Sequence, residues 1–176
     1  MMTKTTTSTS APIALTLPTE PTKPVIFLDF DGVLILPGGE WCPEAMQELN
    51  CLCLETGAAV VLTTSFRYSG SVRALHGMLL KHGFSPEVAV VGETRDLGAY
   101  RAAEKRGDLM FLCEFERWSK GREIAEWLEQ HPGAKKYIVI DDQPHICAPY
   151  QNRTVVPVGA FSAGDREWAM KLLESA

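Results

Sequence analysis

Basic charge is what this sequence has little of: 17 Lys and Arg stand against 22 Asp and Glu, a net charge of −5 over 176 residues. That balance gives no electrostatic reason for strong, sequence-independent binding to nucleic acid, although it leaves room for a local basic patch. No apolar run approaches the roughly 18 residues a membrane helix needs, so no membrane partner is expected. Paired cysteine knuckles are also missing. The chain has five cysteines, an odd number in a sequence too long for a disulfide scaffold, which fits a reducing, cytoplasmic setting. Cys51 and Cys53, one residue apart on a predicted helix, lack zinc-knuckle spacing and read as helix residues. Residues 1–23 lack any periodic apolar pattern; rich in Thr, Ser and Pro, they read as a disordered tail ahead of one domain, 24–176. In that tail only Lys4 precedes a weak apolar stretch, Ala11 to Leu17, and Pro12 interrupts it, so no signal peptide is expected. A Ser/Thr-rich transit peptide stays open, although the segment has no arginine. There is no internal repeat.

What is present is ordinary for a single domain with a sizeable core: 45% apolar and 22% charged residues. Val25 to Leu28 are four apolar residues, three of them β-branched or aromatic, and predict a buried strand. A helix from Pro43 is marked by Met46, Leu49, Leu52 and Cys53, and Gly57 ends it. Ala58 to Leu62 is the second strand, followed by a helix from about Ser71 to Lys81 with Leu75, Met78 and Leu79 on one face. Val88 to Val91 is the third strand, ending at Gly92. Residues 98–106 have a helical pattern, and Leu109 to Leu112 fit a short strand or a buried loop. Ser119 is the expected N-cap of a helix whose stripe is Ile124, Trp127 and Leu128, with Pro132 and Gly133 beyond its end. Tyr137 to Ile140 and Thr154 to Val158 are the last two strands, Pro157 placing the latter at a sheet edge. A final helix, about Gly164 to Leu173, is expected to pack Trp168, Leu172 and Leu173. Strands alternating with helices predict an α/β fold with a parallel sheet and right-handed crossovers.

Several strands end in polar residues suited to chemistry. The first runs into Asp29-Phe30-Asp31-Gly32, the second into Thr63-Thr64-Ser65-Phe66-Arg67, and the fourth into Asp141-Asp142. Buried carboxylates are costly without a metal, a hydrogen bond or a cation. In parallel sheets the carboxyl edge is where ligands bind. Hard oxygen ligands with little nitrogen or sulfur nearby favour magnesium. Lys120 stands at a predicted helix start, where the dipole disfavours a cation, which suggests a specific anionic partner; Arg117 and Arg122 compete for that place. His145, close behind the second acid pair, fits a surface or supporting place better than a catalytic one.

An apolar strand followed by Asp-x-Asp-Gly, then a strand ending in Thr, a lysine at a helix start and a strand ending in acids resembles the haloacid dehalogenase (HAD) superfamily. Leu62 to Arg67 and Lys120 to Ile124, ahead of Trp127, Leu128 and the double acid, are similar to the HAD domains associated with Swiss Army Knife RNA repair proteins. The resemblance implies a Rossmannoid three-layer sandwich with a five-stranded, mostly parallel sheet, the second and fourth strands flanking the first, and no large cap domain. It implies a magnesium-dependent phosphomonoesterase working through an aspartyl-phosphate. Asp29 would be the nucleophile and Asp31 the acid and base; Thr63, with Thr64 as rival, would hold the phosphoryl oxygens, and Lys120 would balance the charge. Magnesium would bind Asp29, the Asp31 carbonyl and Asp141, with Asp142 direct or through water. Arg67 is expected either to grip a second phosphate or leaving group, or to pair with a surface acid. The expected partner is a phosphorylated substrate, a small molecule or a nucleic-acid end. The alternatives are a small-metabolite phosphatase and a non-catalytic binding module that keeps the fold.

Overall fold

A computed structural model describes residues 23–68, 70–95 and 119–175. Residues 1–22 of the expected tail, the helical pattern at 98–106, the segment 109–112 and Arg117 lie outside the described residues. Five strands, β1 (Val25–Leu28), β2 (Ala59–Leu62), β3 (Val90–Glu93), β4 (Tyr137–Ile140) and β5 (Thr154–Val155), form one all-parallel sheet in the order β3-β2-β1-β4-β5. The described helices are α1 (Pro43–Thr56), α2 (Val72–Lys81), α3 (Ser119–Gln130) and α4 (Ala163–Glu174). Thus β2 and β4 flank β1, and the chain between β1 and β2 carries a single helix.

Side chains alternate across the sheet, and each face has its own core. Ile26 and Leu28 of β1 join Val60, Leu62, Ile138 and Ile140 against α1, α2 and α4. Phe27, Val61 and Val139 point the other way, onto Ile124 and Trp127 of α3, with the Trp127 ring edge-on to Phe27 at 5.3 Å. The strand register is even: Leu28 pairs with Leu62 on one side and Ile140 on the other. The same ladder continues one residue further, as Asp29 N–H donates to Ile140 C=O (3.0 Å), Thr63 N–H to Leu28 C=O (2.9 Å) and Thr94 N–H to Leu62 C=O (2.9 Å). Asp29, Thr63, Thr94 and Asp141 therefore form one row at the carboxyl edge, and period-two alternation turns that row toward α3.

Several boundaries differ from the sequence expectation. β3 starts two residues late and runs through Gly92, because Val88 N–H is held in a turn by Ser85 C=O (3.2 Å) and the register slips between Val60 and Val61. Gly92 does not stop this strand; a side chain there would lie 3.7 Å from the Trp127 indole nitrogen. β5 is confined to Thr154 and Val155, since Pro157 offers no N–H and Val158 leaves the sheet to bridge Ala160. It is an edge strand, as its proline predicts. Ser119 is itself the first described residue of α3 and not a cap outside it. In α4 the buried line is Ala169 and Leu173, four residues apart, whereas Trp168 is half exposed. That helix starts with a capping box in which Ser162 and Asp165 satisfy each other's backbone N–H. Among the described residues no helix is long and apolar enough to cross a membrane.

Candidate active site at the sheet's carboxyl edge

The row of strand tips meets α3 at Lys120. Its ammonium lies 2.8 Å from Asp29 Oδ2 and 2.5 Å from Asp141 Oδ2, bridging acids from adjacent strands. Asp29, Asp141 and Asp142 each offer a carboxylate oxygen within 4.8 Å of the others. Burial works against the Lys120 charge, but the Asp29 and Asp141 carboxylates outweigh it and hold the ammonium above the ordinary lysine pKa. Burial, then the Asp29 charge, raises Asp31, with Lys120 and the Ser65 hydroxyl offsetting part of that rise. Burial and Asp29 likewise raise Asp142. Four carboxylates thus face one ammonium; burial is the first cause of both upward shifts, and repulsion from Asp29 adds to it.

This donor set fits magnesium: every group is a hard oxygen, and one buried oxygen, Asp142 Oδ1, has no partner among the described residues. Of the Cys51–Cys53 pair, Cys53 is buried in the α1 core, and burial pushes its thiol up to about 12.

Gly32 makes the second acid pair's approach possible. Its φ is +69°, and a Cβ there would stand 2.4 Å from Asp142 Oδ2. The glycine of Asp-x-Asp-Gly therefore serves the tip of the neighbouring strand β4 as well as its own turn. Gly32→Ala is expected to displace Asp142 and weaken magnesium affinity about tenfold or more, read by calorimetric titration of the folded variant. Unchanged affinity would remove Asp142 from the ion's surroundings.

The second strand's polar tip divides its labour. Thr63 stands in the row beside Asp29, and its buried hydroxyl has no hydrogen-bond partner among the described residues. Thr64 Oγ1 instead accepts from Phe66 N–H (3.4 Å) and belongs to the turn. Of the two readings open for Arg67, the structure supports the ion pair and not the grip on a phosphate or leaving group. Its guanidinium is buried, donates to Thr63 C=O and, at 2.6 Å, to Thr64 C=O, and pairs with buried Glu123. The pairing acid lies inside the protein, not on its surface. Glu123 also accepts from Thr94 Oγ1 at 3.3 Å. Helix α3 therefore presents two charges one turn apart: Lys120 to the acids, and Glu123 to the arginine that ties down the Thr63–Thr64 backbone. Removing one partner of such a buried pair costs roughly 3–5 kcal/mol, so the loop and the helix are locked together.

Arg122 on α3 and His145 after β4 are exposed, and the cation that meets the acids is Lys120. Sequence reasoning missed Glu123, Thr94 and Gly121. Gly121 had a readable signal, a glycine inside an otherwise good helix. In the fold, a Cβ on Gly121 would fall 1.7 Å from Ala148 C=O, so only glycine lets α3 pack on the turn after β4 and carry Lys120 to Asp141.

A family model described as the HAD domain in Swiss Army Knife RNA repair proteins matches residues 25–160, a span that contains all five strands and the acids, Thr63 and Lys120. No curated protein and no solved structure matches the chain.

Proposed function

Because the chain belongs to the family of HAD domains in Swiss Army Knife RNA repair proteins, we propose that it is a magnesium-dependent phosphomonoester hydrolase acting through an aspartyl-phosphate, on nucleotide or nucleic-acid phosphates. The observation that carries this reading is the Lys120 bridge between Asp29 and Asp141, with Asp142 alongside. Three separate chain segments converge there on a phosphate-sized focus of charge.

In the first step an Asp29 carboxylate oxygen bonds to phosphorus while the bond from phosphorus to the ester oxygen breaks. Asp31, its pKa raised by burial and by Asp29, gives its proton to that departing oxygen. In the second step Asp31 takes a proton from water, whose oxygen attacks phosphorus and frees Asp29 and inorganic phosphate. Lys120 holds the nucleophile in place and offsets the charge of the phosphoryl oxygens. Thr63 contributes its unpartnered hydroxyl to the same oxygens. Asp29, Asp141 and the Asp31 carbonyl, with Asp142 direct or through water, would hold magnesium, which supplies positive charge to crowded carboxylates and phosphoryl oxygens. A cytoplasmic location suits Cys42, Cys51, Cys53 and Cys147, which are unpaired among the described residues.

Chelation tests the metal assignment. Hydrolysis of an aryl phosphate is expected to cease in excess chelator and to return with added magnesium. Activity that persists through chelation would reject the metal's part in the reaction.

A further inference from the structure

A phosphomonoester has two ends, and the residue that would protonate the departing alcohol points to where that alcohol sits. Asp31 lines a cavity of about 560 Å³ between α2 and the loop that follows β1. This lies within the usual range for small-molecule sites and far exceeds the needs of a phosphate alone.

Aromatic rings from three chain segments stand in its walls beside aliphatic Ile35 and Met78. Trp41, from the loop after β1, stacks on His82 at the end of α2, with ring centroids 4.4 Å apart and planes 8° from parallel. Phe66 is contributed by the turn after β2. Fully buried Phe30 sits behind the wall, 5.6 Å from the Trp41 ring and 5.9 Å from Phe66, and fixes both. Lys81 stands at the rim, exposed and with no carboxylate partner among the described residues. Along the α2 wall, Gly77 leaves open space: a Cβ there would meet nothing within 4 Å.

We propose that this cavity seats the leaving group and selects an alcohol that carries a flat unsaturated ring and a second anionic group. A nucleoside bisphosphate has that chemistry; a compact aliphatic phosphate does not. Rings pack on the Trp41 and Phe66 surfaces with little demand on ring identity, and Lys81 meets the second charge. Asp31, in the cavity's lining, then lies beside the ester oxygen. The proposal rests on the phosphatase reading, and its test separates the two.

The assay compares kcat/KM for adenosine 3′,5′-bisphosphate, adenosine monophosphate and glycerol 3-phosphate. Gly77→Leu adds bulk to the cavity wall from a position whose Cβ meets nothing within 4 Å and improves the helix residue, so the protein is expected to fold. The ratio of kcat/KM for the bisphosphate over glycerol phosphate should fall about tenfold or more in this variant. Lys81→Glu should lower the ratio of bisphosphate to monophosphate by a similar factor, about tenfold. Ratios that stay at the wild-type value in both variants would overturn the proposal. A separate binding arm uses the Asp29→Asn protein, with adenosine 3′,5′-bisphosphate titrated calorimetrically. Binding that is lost on adding Gly77→Leu supports the seat even if no ester is hydrolysed, an outcome in which the phosphatase reading alone would fail. Absence of binding in Asp29→Asn, or binding indifferent to Gly77→Leu, would remove the seat.

Discussion

Asp29→Asn is expected to lower aryl-phosphate hydrolysis by roughly 10⁴-fold or more, with the fold retained. The change is nearly isosteric and leaves Lys120 its contact with Asp141, so the sheet edge should hold. What is lost is the anionic oxygen that would bond to phosphorus. The measurement is steady-state hydrolysis beside circular dichroism of the same sample. A variant with the wild-type rate and spectrum would mean that Asp29 is not the nucleophile. If neither protein hydrolyses any phosphate ester, the non-catalytic binding module becomes the better account. Asp31→Asn offers a contrast: with the nucleophile intact but water not activated, phosphorylated protein should accumulate or turnover should stop.

Gly121→Ala should destabilise the protein by about 3 kcal/mol and abolish activity, although helix propensity alone predicts a gain of about 1 kcal/mol. A Cβ at this position would meet Ala148 C=O at 1.7 Å and the Ala148 carbonyl carbon at 2.6 Å. Both are backbone atoms, so no rotamer change relieves the overlap. Helix α3 would have to withdraw from the turn after β4, taking Lys120 from the acids and Glu123 from Arg67. Gly77→Ala is the matched control, because its added methyl meets open space and should stabilise α2 by roughly 0.5–1 kcal/mol. Urea unfolding of the two variants reads both signs. A stabilised Gly121→Ala would show that α3 does not pack on Ala148 as closely as described.

Much of the fold could be read because it follows from local pattern. Val25 to Leu28, Ala59 to Leu62 and Tyr137 to Ile140 are apolar runs bounded by turn residues, and they became the three central strands. Boundaries at the sheet edges were harder to read. β3 and β5 depend on how a neighbour's register slips or where a ladder runs out, and nothing in residues 88–92 or 154–158 alone encodes the pairing strand. Trp168 shows the same difficulty in a helix: an aromatic residue one position off the buried line is still half exposed.

The acids, threonines and Lys120 were identifiable from chemistry and position, since carboxylates directly after a buried strand need a reason to be there. Arg67 was only half legible: an ion pair was one of its two readings, but nothing in sequence names an acid 56 residues away as the partner. The same limit hides the cavity, because Trp41 and His82 are remote in sequence and meet only when α2 folds over the loop after β1.

By itself, then, the sequence determined which strands exist, which acids stand at their tips and which superfamily the pattern resembles, because periodicity and strand-end chemistry are properties of short segments. Tertiary structure decided that Lys120 bridges two strands, that Thr63 faces inward while Thr64 serves the turn, that Arg67 belongs to Glu123 and that an aromatic cavity opens beside Asp31. Each of these depends on which helix covers which face of the sheet and at what register, and that choice is made by the packing of the whole chain.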